Sequence, residues 1–270
     1  MLSHTHRVAL ITGGIAGIGR ATADLLSAEG YRVFVTSRSD AHGASTSGIE
    51  LLKFEANSDA SAAACVAALM DRAGRIDVLV NNIGTGMLGA AEEQSIAEGE
   101  HILQTNFWGA VRMIKSVLPI MRVQGGGRII NMSSVGGIFG FPYSAFYSAS
   151  KFALEGYCDA LQLEVRPFGI YVSLVEPAGV LTPVAGNVPK AALMLPAYSQ
   201  TREKMGVQMD KMMKAGMPAE KVARKILNIL STENPKLRYK VGVPARILAL
   251  MFRLAPEFLF TGVKRRLLNI

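Results

Sequence analysis

Cysteine is almost missing from this chain. Cys65 and Cys158 are the only two in 270 residues. Two thiols make at most one disulfide, which excludes a disulfide-stapled scaffold. With nothing else pointing to secretion, a reducing, cytoplasmic setting is expected. Histidine occurs four times, at His4, His6, His42 and His101, with no metal-ligand spacing. No Gly-x-Ser-x-Gly elbow is present either. Metal-dependent and serine-hydrolase chemistry are therefore not expected. Long hydrophobic runs are also lacking. No stretch reaches the roughly 18 apolar residues of a spanning helix. The run after Arg7 is too short for a signal-peptide core and lacks a cleavage site behind it. Internal repeats and linkers are not found. Half of the residues are apolar and 19% are charged, so residues 1–270 read as a single globular domain.

Acidic residues run short only at one end. Residues 236–270 hold eight bases against Glu257 alone, whereas the first 235 residues are nearly balanced. A basic tail on a neutral body does not read as a nucleic-acid surface, which would need a basic stripe across the fold. Pro244–Ile270 joins these bases to many Leu, Ile and Phe residues, with Pro256 dividing two short helices. This basic, apolar extension suits peripheral contact with a membrane, a cover over a pocket, or an oligomer contact.

What is present is alternation. Apolar runs at Arg7–Ile11, Tyr31–Thr36, Glu50–Phe54, Asp77–Asn81, Gly127–Met132 and Ile170–Val175 read as strands buried on both faces. Helix-length segments lie between them at Gly17–Glu29, Ala60–Ala73, Gly99–Gln124 and Phe146–Pro167. Gly30 and Gly169 stand where left-handed helix caps would sit. The pattern predicts an α/β fold with a doubly wound, mainly parallel sheet. Asp40–Gly48 reads as a loop too short to hold a full crossover helix. A last strand is expected near Leu237–Val241.

The first strand runs into Thr12-Gly13-Gly14-Ile15-Ala16-Gly17-Ile18-Gly19. Glycines between a strand and a helix let backbone approach a pyrophosphate at the helix N-terminus. Arg20-Ala21 excludes a phosphate-binding P-loop. At the end of the second strand, Ser37 occupies the position where an acid would bind the ribose of NAD, and Arg38 follows. A guanidinium suits a 2′-phosphate, so NADP(H) is expected in preference to NAD(H).

Tyr147 and Lys151 are four apart in YSASK, on one face of a predicted helix. A lysine cation there is expected to lower the tyrosine pKa from its ordinary value near 10. Ser134 ends a strand 13 residues earlier, where doubly wound sheets place ligands; Ser133 competes with it. Asn106 lies 28 residues before Ser134.

Taken together, these residues resemble the short-chain dehydrogenase/reductase family over about residues 7–182. The family is built on a single Rossmann domain with a seven-stranded sheet. The resemblance implies hydride transfer between a nicotinamide and a carbonyl, with Tyr147 as acid/base and Ser134 holding the carbonyl oxygen. Lys151 then binds ribose, and Asn106 fixes a water linked to Lys151. It also implies cofactor contacts from Glu55, Ala56, Asn82 and Gly84. Glu176-Pro177-Ala178-Gly179-Val180-Leu181-Thr182 resembles the segment that clasps the nicotinamide, through Pro177, Val180 and Thr182. Ile83 and Ala178 depart from the family pattern.

Detail around the site looks most like 17β-hydroxysteroid and retinol dehydrogenases. That implies a small lipophilic alcohol or carbonyl, such as a steroid, retinoid or long-chain compound. Residues 184–217 stand where the family has a substrate lid. Their six methionines form either an adaptable substrate surface or core filler. A homodimer or homotetramer built on the two long helices is also implied. A non-catalytic NADP(H)-binding regulator of the same fold is the alternative function.

Overall fold

The computed structural model describes residues 7–38, 48–183 and 187–254, together with Gly262 and Arg265. The loop expected at 40–48 lies almost wholly outside the described residues. So do residues 184–186 of the lid segment and most of the chain after Leu254.

The elements are β1 (Val8–Ile11), α1 (Gly17–Ala28), β2 (Arg32–Ser37), β3 (Ile49–Lys53), α2 (Asp59–Ala73) and β4 (Val78–Asn81). Next come α3 (Ile96–Leu103), α4 (Gly109–Gln124), β5 (Gly127–Met132), α5 (Ala145–Val165) and β6 (Ile170–Pro177). The chain continues through β7 (Val180–Leu181), α6 (Ser199–Lys214), β8 (Met217–Pro218), α7 (Ala219–Leu230), β9 (Arg238–Val241) and α8 (Val243–Leu254). Seven strands form one parallel sheet in the order β3-β2-β1-β4-β5-β6-β9. The short strands β7 and β8 pair separately. Because β1 pairs with both β2 and β4, the winding reverses beside it. That reversal opens a crevice at the carboxyl ends of the strands, where such sheets bind ligands.

Side chains alternate across the sheet and feed two cores. On β1, Leu10 packs in the layer with α2, α4 and α5. Its neighbours Ala9 and Ile11 pack in the opposite layer with α1 and α7. Cys65 and Cys158 are buried free thiols in the first layer. Burial pushes each thiol up to about 12, so neither is a ready nucleophile. Gly30 and Gly169 take positive φ values of 84° and 71° after α1 and α5, as cap positions require.

Two elements differ from expectation. The single helix foreseen over Gly99–Gln124 begins at Ile96 and is interrupted by a π-helical turn at Gln104–Trp108. This wider turn carries Asn106 inward, 1% exposed. Helix α7 was not foreseen. Its apolar residues Val222, Ala223, Ile226, Ile229 and Leu230 are all buried, in helical register, but the Met- and Pro-rich segment before them obscures the start. Among the described residues, no helix is long and apolar enough to cross a membrane.

Candidate active site

The glycine run turns beneath the crevice and is held there by side chains. Gly13 and Gly17 adopt φ values of 65° and 55°, conformations that favour glycine. A Cβ on Gly19 would come within 2.3 Å of the Gly13 carbonyl oxygen, so helix and loop touch only because this side chain is absent. Asn82 at the end of β4 donates from Nδ2 to the Thr12 and Gly13 carbonyls at 3.0 and 3.1 Å. Thr12 Oγ1 accepts the Asn82 backbone N–H at 2.9 Å. Thr36 Oγ1 accepts the Gly13 N–H at 3.2 Å, which brings the end of β2, with Ser37 and exposed Arg38, beside the loop. Helix α1 begins without a side-chain cap or an acid in its first turn. Its N–H groups thus face the crevice with no built-in anion, and the uncapped helix and glycine cradle fit a dinucleotide pyrophosphate.

Of the other expected cofactor residues, Ile18, Gly84, Pro177, Val180 and Thr182 line the cavity, and Ile15, Glu55 and Ala56 do not. Ile15 is exposed and Ile18 lines the cavity. Glu55 lies exposed beyond β3, its N–H donated to Ser61 Oγ at 2.9 Å. The Ala56 carbonyl accepts from Arg112 Nη1 at 2.8 Å. Ile83 packs against Gly13, where an added Cβ would meet its Cγ1 at 3.0 Å. On the far side Pro177, Val180 and Thr182 line the same cavity. Thr182 approaches Gly17 closely enough that a Cβ there would lie 3.3 Å from Thr182 Cγ2.

Four predicted residues meet at the carboxyl end of β5. Ser134 caps a short helical turn, accepting the Gly136 N–H at 3.1 Å, and its hydroxyl opposes the rise in the Tyr147 pKa. The neighbouring Ser133 is 4% exposed and its Oγ has no hydrogen-bond partner among the described residues. Ser134, not Ser133, is the serine that acts on the Tyr147 phenol. Lys151 is 4% exposed and donates from Nζ to the Met132 carbonyl at 2.8 Å. Asn106 accepts the Thr85 N–H on Oδ1 at 2.7 Å. Its Nδ2 donates to the Thr85 carbonyl and to Ser150 Oγ at 2.8 and 2.9 Å. It clasps the chain after β4 to helix α5.

One expectation is corrected. The tyrosine pKa is raised here, not lowered: burial pushes Tyr147 above its ordinary range, and Ser134 opposes it. The reason is geometric, because the ammonium is turned to the Met132 carbonyl and lies 5.9 Å from the phenol ring centre. Burial instead lowers Lys151 itself, to about 8, against the opposing pull of Glu155.

Tyr147, Ser134 and Lys151 face a cavity of about 310 Å³. Its far wall is apolar and comes from Met87, Phe141, Val188, Met209, Met212 and Met213. Of the six lid methionines, those at 209, 212 and 213 thus meet the cavity. Met205 is fully buried beside Leu88. Tyr143, the one non-glycine residue with positive φ among the described residues, hydrogen-bonds Thr201 on α6.

A charge cluster built on two buried carboxylates, Glu155 and Glu176, lies next to the site and gave no sequence signal. Arg238 of β9 pairs with Glu155 at 2.9 Å and with Asp159 at 3.1 Å. Glu176 of β6, fully buried, lies 3.4 Å from Lys240. Burial, and then Glu155, push Glu176 above the usual carboxylate range. These partners come from β6, β9 and α5, up to 83 residues apart, and no local motif links them.

A nucleotide-binding α/β oxidoreductase is the class that this fold and site define. The model of the family described as short chain dehydrogenase matches residues 7–192, and the chain belongs to that family. It is 38% identical to a 3-ketodihydrosphingosine reductase of Bacteroides thetaiotaomicron, over 90% of each chain. It is 33% identical to human retinol dehydrogenase 8, covering 88% of this chain and 82% of that one. A short-chain dehydrogenase from Streptomyces avermitilis superposes with a TM-score of 0.81 at 30% identity, covering 97% of this chain and 95% of that one.

Proposed function

We propose that this protein is an NADP(H)-dependent oxidoreductase interconverting a lipophilic alcohol and its ketone or aldehyde, with Tyr147 as the acid/base. The observation that carries the reading is the convergence of Ser134, Tyr147 and Lys151 on one cavity whose far wall is apolar. A nicotinamide bound in the crevice would supply the hydride. Gly13, Ile15, Gly17, Ile18 and Gly19 would hold its pyrophosphate side, with Glu55, Ala56, Asn82 and Gly84 near its adenosine half. Pro177, Val180 and Thr182 would close over its other end. Ser37 and Arg38 would select the 2′-phosphate by forked, charge-assisted hydrogen bonds.

Burial keeps Tyr147 protonated, which suits a donor. In the reductive direction its phenol gives a proton to the substrate oxygen as the alcohol forms, while Ser134 holds that oxygen in place. Lys151 lies behind the phenol with its pKa brought down to about 8, so it exchanges protons readily near neutrality and can restore the one Tyr147 donates. Asn106 holds Ser150 and Thr85 in register with both.

The assembly proposed is a homodimer or homotetramer through α4 and α5, whose side chains Val123, Phe152 and Leu163 are exposed. The C-terminus would meet a membrane peripherally. The decisive experiment follows NADPH consumption over a panel of lipophilic ketones and aldehydes, with Tyr147→Phe as control. Turnover that disappears in the variant supports the reading. Substantial turnover remaining in Tyr147→Phe overturns the acid/base role.

A further inference from the structure

Two cavities share one wall at the lid. The first, about 310 Å³, holds Tyr147. The second, about 590 Å³, lies along α6 and the segment around Val188–Met194. Val188, Met209 and Met213 belong to the linings of both. None of the three is fully buried, and methionine side chains bend and repack easily. The wall is therefore a partition that an unbranched chain can pass. The first cavity alone sits at the small end of the roughly 300–1,000 Å³ that ligand sites span, and the two together lie near the top.

The character of the outer cleft points to one kind of occupant. Its floor is Leu88 and Gly206, and a Cβ on Gly206 would lie 3.1 Å from Leu88 Cδ2. At its rim Met194 and Val207 are 41% and 53% exposed, unsatisfied apolar surface on an otherwise charged lid. Of the five ionic residues that line it, Arg202 is bound to Glu93 and Lys214 to Asp210 at 2.7 Å, while Lys190 and Glu203 are exposed to solvent. The apolar floor and rim between them suit hydrocarbon.

We propose that the outer cleft is a tail site, and that the substrate is a single-chain, long alkyl or acyl carbonyl whose reactive end lies beside Tyr147. The inference rests on the oxidoreductase reading and narrows its substrate class. A rigid fused-ring plate cannot thread between Val188, Met209 and Met213 without removing the partition.

The test is kcat/KM for straight-chain aldehydes from butanal to hexadecanal. Once the chain passes the partition, the value should climb by up to about fourfold per methylene, the factor equivalent to about 0.8 kcal/mol of burial. Gly206→Leu fills the cleft and Val207→Glu sets a charge on its half-exposed rim. Each should cut the hexadecanal rate more than tenfold and leave the butanal rate within about twofold. A flat chain-length profile overturns the proposal, as does a hexadecanal advantage kept by both variants, while butanal turnover leaves the oxidoreductase reading standing. Absence of turnover on every aldehyde sinks that reading, and this proposal with it.

Discussion

Glu93 and Arg202 form a buried ion pair between the body and the lid helix α6. Glu93 follows β4 and is 1% exposed, while Arg202 belongs to helix α6 of the lid. The same carboxylate accepts the Leu195 and Ala90 N–H groups at 2.8 Å each. It is a knot that ties the lid to the body.

Cutting that knot leaves a buried carboxylate without its cation. Arg202→Ala should therefore cost about 3 kcal/mol, near the low end for a broken buried pair, because two backbone donors remain. The loss should concentrate in the lid, so KM for a lipophilic substrate rises more than kcat falls. Denaturant unfolding together with steady-state kinetics checks both. Wild-type KM in this variant would mean the lid does not depend on the pair.

The pH response follows from Lys151, which faces Tyr147 and Glu155, with Arg238 and Glu176 behind them. Its pKa falls from 10.5 to about 8 on folding. Between those values the unfolded chain holds more protons than the folded one, so stability should rise as pH climbs from about 8 to 10.5. Below that window the full cost of burying the cation is present. Reductive kcat should decline above about pH 8, as the proton on Lys151 is lost. Glu155 favours the charged lysine, so Glu155→Gln should move this limb to lower pH. A limb that stays in place would detach Lys151 from the rate.

Arg38 stands exposed at the end of β2. Arg38→Ala should lower the NADPH/NADH ratio of kcat/KM by roughly tenfold or more, since a charge-assisted hydrogen bond is worth about 1.5–3 kcal/mol. An unchanged ratio would remove Arg38 from cofactor selection.

Helix α8 exposes Val243, Ile247 and Leu250 at 65%, 52% and 59%. They form one stripe at helical spacing, beside exposed Arg246. Its root, Ala245, packs on Val135 and Phe139 in the loop that follows Ser134. The protein should sediment with anionic phospholipid vesicles at low salt and leave them at high salt. Equal binding to neutral vesicles at every salt concentration would discard the electrostatic part, and no binding to either would discard the contact.

Short spans of sequence carry the placement of the candidate site residues in the fold. Gly13–Gly19, Tyr147 with Lys151, and Ser134 at a strand end all lie where spacing puts them. Sequence reading falls short where the determinant is three-dimensional. The residues Gln104–Trp108 carry no mark of a π turn, yet that turn delivers Asn106. The direction of the Lys151 ammonium depends on the Met132 carbonyl, 19 residues away. The Glu155–Arg238 pair joins residues that only the finished sheet brings together.

Among the described residues the lid is tied to the body at many points. Leu88 meets Lys190, Glu98 accepts the Ala192 N–H at 2.9 Å, and Tyr143 and Glu93 grip α6. The glycine cradle, Tyr147 and Lys151 all lie in the sheet domain, upstream of this segment. The far wall of the cavity is thus a cassette attached to a fixed sheet and glycine cradle. Residues 187–217 can diverge, or be exchanged for another sequence keeping those sockets, while Ser134, Tyr147 and Lys151 stay in place.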